Sequence, residues 1–403
     1  MSNPYNVVVS GLLAPYAEGF HAELRALGYR RNASSPQLAL MAHLSRWLEH
    51  RGLEPGGFDP GLVEAFLADR RSEGYTMWLS TKGIAPLLAF LRSIGVVPVV
   101  VDFGAVTAVD RLIEEFVGYL RSERGLTDGT IYNYVSVAGV FLAAETQIDE
   151  ADLSGLSASD VVGFVLAENG GRSVRSAQSL ACGLRAFLRF AFATGKTDTD
   201  LAVGVPTIAS WRLSTVPRSI SQSEVKALLG SCDRRTAFGR RDYAAMLLMV
   251  RLGLRAGEIA ALELADIDWR AGDLVVRGKC SRVERLPLPV DVGGAIAGWV
   301  RRGRPVCGSQ RVFTRVRAPH QGLSVGGVGA IVKAAGLRVG IPDVHAHRLR
   351  HTAATRMLAG GADLVEIGQV LRHASVLTTS IYAKVDDDRL RPLAIAWPTG
   401  ARS

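Results

Sequence analysis

Between Arg255 and Tyr382 the 403-residue sequence carries a series of side chains suited to chemistry on an anion. Arg255 follows an apolar stretch, Tyr243 to Leu252, that stops at Gly253-Leu254, and Glu258 comes three residues later. Lys279 stands where the apolar run from Leu274 meets a turn. His347 and Arg350, at i and i+3, share one face of a helix. His373 closes the segment Leu371-Arg372-His373, and Tyr382 follows Ile381. Guanidinium groups bind anionic oxygens through parallel hydrogen bonds, imidazole exchanges protons near neutral pH, and a phenol becomes a nucleophile once its proton is removed. Taken one at a time, each residue also has an ordinary reading: an arginine in a local ion pair, a solvated lysine, a solvated basic helix face, a tyrosine used for packing.

The elements that must position these groups follow from capping and periodicity. Ser221 and Glu224 have capping-box spacing, in which each side chain satisfies a free backbone amide, so a helix starts there. Leu274 to Lys279 and Val283 to Leu288 read as two strands around a turn. His345 begins a helix that runs to Gly360-Gly361, and Asp363 with Glu366 opens the next. Upstream, apolar residues recur at helical spacing in two sets. The first includes Leu38, Met41, Leu44, Trp47 and Leu48, then Val63, Phe66 and Leu67, then Leu87, Leu88 and Leu91. The second runs from Leu112, Phe116 and Leu120 to Leu180, Leu184, Phe187 and Leu188. Pro206, Ser210, Ser214, Thr215 and Pro217 break the pattern as a linker. The expected fold is mainly α with a small β-sheet in the last domain: a helical extension over residues 1–104, a second helical domain over 105–202, a linker over 203–217 and a final domain over 218–403.

Composition places limits on the partner. With 48% hydrophobic and 21% charged residues the chain is globular, neither a disordered tail nor a coiled-coil rod. Residues 218–403 hold 29 Lys+Arg against 16 Asp+Glu, net +13, whereas residues 1–217 hold 18 against 22, net −4, which together make the +9 of the chain. The basic surplus therefore lies with the candidate side chains and points to an anionic partner. The best candidate for a membrane span, Ile84 to Val101, is interrupted by Pro86, Arg92, Ser93 and Pro98, so a soluble cytoplasmic protein without a membrane partner is expected. Cys182, Cys232, Cys280 and Cys307 are too scattered for a metal knuckle. His345, His347, His351 and His373 come without an HExxH motif, and there is no GxxxxGK[ST] loop, so neither a metal nor another cofactor is expected.

Five motifs occur in order: Leu-Arg-Ala-Gly-Glu at 254–258, Arg-Gly-Lys at 277–279, His-Arg-Leu-Arg-His-Thr at 347–352, Leu-Arg-His at 371–373 and Ile-Tyr at 381–382. From about Ser221 to Val385 the chain thereby resembles the catalytic domain of the tyrosine recombinase (phage integrase) family. The helices at roughly 105 to 200 resemble that family's core-binding, SAM-like domain, and the first hundred residues exceed its minimal plan. The long extension and the ending Tyr-Ala-Lys-Val-Asp are similar to transposon-encoded members. The resemblance implies a site-specific recombinase that cleaves and rejoins duplex DNA through a 3′-phosphotyrosine. It also implies a homo-oligomer on DNA, tetrameric in synapsis, with helper recombinases as further partners.

The same resemblance distributes the roles. Arg255 and Arg350 clamp the nonbridging oxygens, on which charge gathers in the transition state. Tyr382 is the nucleophile, and His347 takes the proton of its phenol, whose ordinary pKa is about 10. Lys279 protonates the departing 5′-oxygen, His373 hydrogen-bonds the phosphate, and Glu258 orients the framework. The phosphotyrosine keeps the energy of the broken ester, so rejoining needs neither ATP nor a metal. Two features depart from the family pattern or extend it. Arg372 stands where many members carry Gly, and either adds a phosphate contact or crowds the turn. Beyond Tyr382, Leu390, Leu393, Ile395 and Trp397 either dock on a neighbouring subunit or pack on their own domain. The alternatives to a recombinase are a type IB topoisomerase-like relaxing enzyme and a noncatalytic DNA-binding accessory protein.

Overall fold

The structure, a computed structural model, describes residues 7–98, 107–144, 152–208, 219–278, 283–372 and 379. Residues 1–98 group with 213–403 in one compact unit, and 99–212 form a second. The first unit begins with α1 (Ala17–Ala26), α2 (Arg31–His50), α3 (Pro60–Ser72) and α4 (Thr81–Ser93). The apolar stripe of α2 is buried at Leu38, Met41, Leu44, Trp47 and Leu48, and packs with Phe66 and Leu67 of α3 and Leu87 and Leu91 of α4. The start of α3 is fixed by Asp59, whose carboxylate accepts from the Leu62 amide at 2.8 Å, with Pro60 at the first helical position. Each fully buried leucine contributes about 1.5–3 kcal/mol, so Leu44→Ala alone removes a large part of this small core's stability.

The second unit consists of α5 (Ala108–Ser122), α6 (Asp128–Ala144), α7 (Ala158–Asn169) and α8 (Val174–Ala193). Capping boxes at Thr107/Asp110 and Ser157/Asp160 start α5 and α7. Phe116, Phe141, Phe164, Phe187 and Phe190 form its aromatic core. Phe116 meets Phe187 edge to face at 5.3 Å, and Phe141 meets Phe164 in the same way at 5.0 Å.

The first unit resumes with α9 (Gln222–Gly230), α10 (Ala237–Leu252) and α11 (Ala256–Ala261). The strands β1 (Ile267–Asp268), β2 (Asp273–Arg277) and β3 (Val283–Pro287) follow, then α12 (Val290–Arg302), α13 (Val325–Arg338), α14 (Ala346–Ala359) and α15 (Leu364–Val370). The capping boxes at Ser221/Glu224 and Asp363/Glu366 stand where the sequence puts them. The strands form an antiparallel sheet in the order β1-β2-β3, with Leu274 opposite Leu286 and Val276 opposite Glu284. Leu274, Val276 and Leu286 turn inward onto a core that includes α10, which is buried nearly all round, and the indole of Trp299. No described helix is long and apolar enough to cross a membrane.

Candidate catalytic site

Arg255, Glu258, His347 and Arg350 are held where the end of α10, the start of α11, the start of α14 and the end of α15 meet. Helix α10 stops because Gly253 takes φ 62°, the left-handed conformation that glycine adopts without a Cβ penalty. Any Cβ there would lie 2.4 Å from Leu371 Cδ2, so the same glycine lets α15 approach the helix end. The chain then enters α11 with Arg255 as its cap. The Arg255 amide donates to Glu258 Oε2 at 2.8 Å and its Nη1 donates to Oε1 at 2.7 Å.

Glu258 holds a second guanidinium. Arg372 Nη2 donates to Glu258 Oε2 at 2.6 Å, and both side chains are buried, at 3% and 4% exposure, whereas Arg255 is 38% exposed. Burial pushes the Glu258 carboxyl up, but the Arg372 charge and the hydrogen bonds from Arg255 and Arg372 outweigh it and hold the group below its ordinary range. Arg350 lies deeper still, at 1% exposure. Its Nη1 donates to Gly253 O at 2.5 Å and its Nη2 to Leu371 O. Arg255 Nη2 donates to the next carbonyl, Arg372 O, at 3.3 Å. The two candidate arginines thus converge on consecutive carbonyls of the turn that leads to His373.

Arg372 answers the question that the sequence leaves open. Its guanidinium is taken up by Glu258 and by Val370 O at 2.8 Å, so it acts as a buried structural cation and not as an exposed phosphate contact. Its backbone has φ 56°, a conformation that a glycine would adopt freely, so the cost of an arginine here is backbone strain. This ion pair spans 114 positions and had no local signal in the sequence.

On the first turn of α14, His347 is exposed and Arg350 buried, so the face they share runs from solvent into the core. The rings of His347 and His351 meet edge to face, 4.4 Å between centroids. Burial first, then the nearby charges of His347, Arg350 and His345, lowers the His351 pKa to about 4. His345 has a structural task that sequence reasoning missed: its Nδ1 accepts from the Arg348 amide at 3.2 Å and caps the helix. Lys279, His373 and Tyr382 lie outside the described residues, as do Leu390, Leu393, Ile395 and Trp397. Among the described residues no cluster of three or more His, Cys, Asp and Glu is placed to hold a metal ion.

The phage integrase family model matches residues 218–389. The chain is 40% identical over 407 residues to the protein y4rA of Sinorhizobium fredii (strain NBRC 101917 / NGR234), which is classed by name among integrases/recombinases, covering all of this chain and 98% of that one. It is 31% identical to the tyrosine recombinase XerD of Listeria monocytogenes serovar 1/2a, over 70% of this chain and 96% of that one. Among solved structures, the XerH site-specific recombinase bound to a palindromic difH substrate in a post-cleavage complex aligns with a TM-score of 0.58 and 16% identity, over 83% of this chain and 94% of that one. Motifs, fold and full-length similarity agree: the chain belongs to the phage integrase family of tyrosine recombinases.

Proposed function

We propose that this recombinase cleaves and rejoins duplex DNA at a specific site through a 3′-phosphotyrosine on Tyr382. The observation that carries this reading is the convergence of Arg255 and Arg350 on the Leu371–Arg372 carbonyls, ten residues before that tyrosine. In the reaction Arg255, the more exposed of the two, meets the scissile phosphate first. Arg350 turns from its carbonyl partners to the second oxygen when the phosphate enters. His347 takes the phenol proton as the Tyr382 oxygen attacks phosphorus. The P–O5′ bond breaks, Lys279 gives its proton to the departing oxygen, and His373 hydrogen-bonds the phosphate. Glu258 touches no substrate and positions Arg255. Attack of a new 5′-hydroxyl on the phosphotyrosine reverses these steps, so strand exchange requires no net change in bond energy.

Residues 218–403 form the catalytic domain in this reading, 105–202 the core-binding domain and 1–104 an extension, with 203–217 as linker. The tyrosine recombinases among its relatives, and the palindromic DNA of the XerH complex, support an oligomer that acts on paired half-sites. A transposon-encoded role, tetrameric synapsis and helper recombinases extend the same reading, with the nucleoid as the place of action. The test first locates the DNA site by searching for inverted repeats beside the encoding gene and testing them for binding, then uses a duplex of that site nicked so that cleavage traps the adduct. Wild-type protein forms a covalent complex and Tyr382→Phe forms none; no adduct from wild type, or equal adduct from both, overturns the proposal.

A further inference from the structure

The corner after α1 lies against the catalytic part of the same compact unit. Leu27 O accepts from the His320 amide at 3.0 Å. Gly28 follows with φ 85°, and the His320 ring fills the space where its side chain would stand: an added Cβ would be 2.0 Å from His320 Cδ2. Tyr29 is next, half-buried near Arg315; burial pushes its phenol up and the Arg315 charge partly opposes the shift. A cavity of about 720 Å³ continues the seam, lined by Tyr29, Trp78 and Phe90 on one side and Arg315, Pro319 and Gln321 on the other.

The turn that receives this corner is tied to the catalytic framework. Thr314 bridges to Gly322, the Arg315 amide donates to Gln321 O at 2.8 Å, and the Leu323 amide donates to Phe313 O at 2.9 Å. At the base of the turn the Val312 amide donates to Leu262 O at 2.8 Å, and the Leu264 amide donates to Gln310 O at 2.9 Å. Arg311 Nη1 reaches both Ala261 O and, at 3.4 Å, Glu263 Oε1. Ala261 ends α11, whose opposite end carries Arg255 and Glu258. A continuous set of hydrogen bonds therefore runs from Leu27 to the far end of a helix of under two turns that positions the exposed arginine.

We infer that residues 7–97 are a docking module that seats Leu27–Gly28 on the Thr314–Gly322 turn, and that this seat steadies α11 and Arg255 during strand cleavage. The catalytic half of the inference rests on the DNA-cleaving reading above; the docking half does not. It gives the N-terminal extension a partner within its own chain.

Gly28→Ala tests the seat in the full-length protein. Gly52→Ala is the control, because Gly52 also has a positive φ, 62°, but has no atom near a Cβ. Both substitutions strain the backbone, and only the first collides with His320. Hydrogen exchange of residues 315–323 should quicken at least tenfold in Gly28→Ala and stay within twofold of wild type in Gly52→Ala. Adding His320→Ala to Gly28→Ala should restore slow exchange, because the collision disappears and the backbone hydrogen bond remains. Slow exchange in α2 confirms that the module is folded in every variant. Unchanged exchange at 315–323 in Gly28→Ala, or no recovery in the double variant, overturns the docking. With docking lost, residues 255–263 should exchange faster and the covalent adduct with nicked DNA should form at least threefold more slowly; no change in either overturns the coupling to α11. If wild type forms no adduct, the DNA-cleaving reading fails and the coupling to cleavage with it, while the exchange data still decide the docking.

Discussion

The sharpest test of the site's framework is removal of one charge, by Glu258→Gln. In the native protein one carboxylate neutralises the buried Arg372 at 2.6 Å and holds the half-exposed Arg255 at 2.7 Å. A glutamine keeps one oxygen but turns an NH2 toward a guanidinium that can only donate. Arg372 then keeps its hydrogen bond to Val370 O, and its Nε is already buried without a partner among the described residues. Breaking a buried ion pair by removing one partner costs about 3–5 kcal/mol, whereas the Arg255 pair, open to solvent on one side, adds about 0–1 kcal/mol. The total, about 3–6 kcal/mol, corresponds to a shift in the local opening equilibrium of about a hundredfold to over ten-thousandfold.

Hydrogen exchange of α11 and of residues 364–372 in the full-length chain reads this shift without assuming that a multidomain protein unfolds in one step. The pH dependence has a definite sign. The folded-state pKa of Glu258 is depressed, so its contribution is complete above the ordinary glutamate value and is lost as pH falls through the folded value. Wild type should therefore lose protection at low pH, and Glu258→Gln, which has no proton to gain, should lack that limb. Adding Arg372→Gly removes the stranded cation and should recover most of the lost protection. Glu258→Gln with exchange within twofold of wild type, or a double variant no better than the two losses added together, refutes the account of Glu258 as the counter-charge of Arg372.

Three further outcomes follow from the same geometry. Arg372→Ala and Arg372→Gly both release the Glu258 carboxylate from its buried partner, but only alanine keeps the strain of φ 56°, so hydrogen exchange of residues 364–372 should show the glycine variant about 1 kcal/mol better protected than the alanine variant. Gly253→Ala should destabilise the junction of α10 and α15 by about 2 kcal/mol or more in the same assay, because it adds the left-handed penalty to a Cβ 2.4 Å from Leu371. His351 is neutral in the folded protein down to pH about 4, while its unfolded form takes up a proton near the ordinary histidine value of 6.5. Its folded pKa is lowered, so the stability it gives is complete above 6.5 and is lost as pH falls toward 4. Solvent at this half-buried ring holds the effect to about 1–2 kcal/mol, and His351→Gln should flatten the pH–stability curve over that window.

Residues whose roles are local were legible in the sequence, and residues whose roles depend on distant backbone were not. Ser221/Glu224 and Asp363/Glu366 announce their helices because a capping box closes within four residues. Gly253 announces the end of α10 for a similar reason: an apolar helix that stops at glycine leaves it the left-handed position. Arg350 shows the limit. Helical spacing puts it on a face with His347, and a solvated basic face is what that spacing suggests for two polar residues. Its guanidinium instead finds carbonyls 97 and 21 positions away, which makes a fully buried arginine possible in a position where periodicity has no vote. Arg372 is the same case with a charge partner 114 positions away. The motifs single out Arg255, Glu258 and Arg350 in the sequence, and the structure shows how the three are physically linked. One carboxylate orients the first arginine and neutralises a structural one, the second arginine fastens the turn that carries both carbonyls, and a change at any of the three disturbs the other two. Strand cleavage by such a site should therefore fail through Glu258 nearly as completely as through Arg255, although Glu258 is too deeply buried to meet DNA.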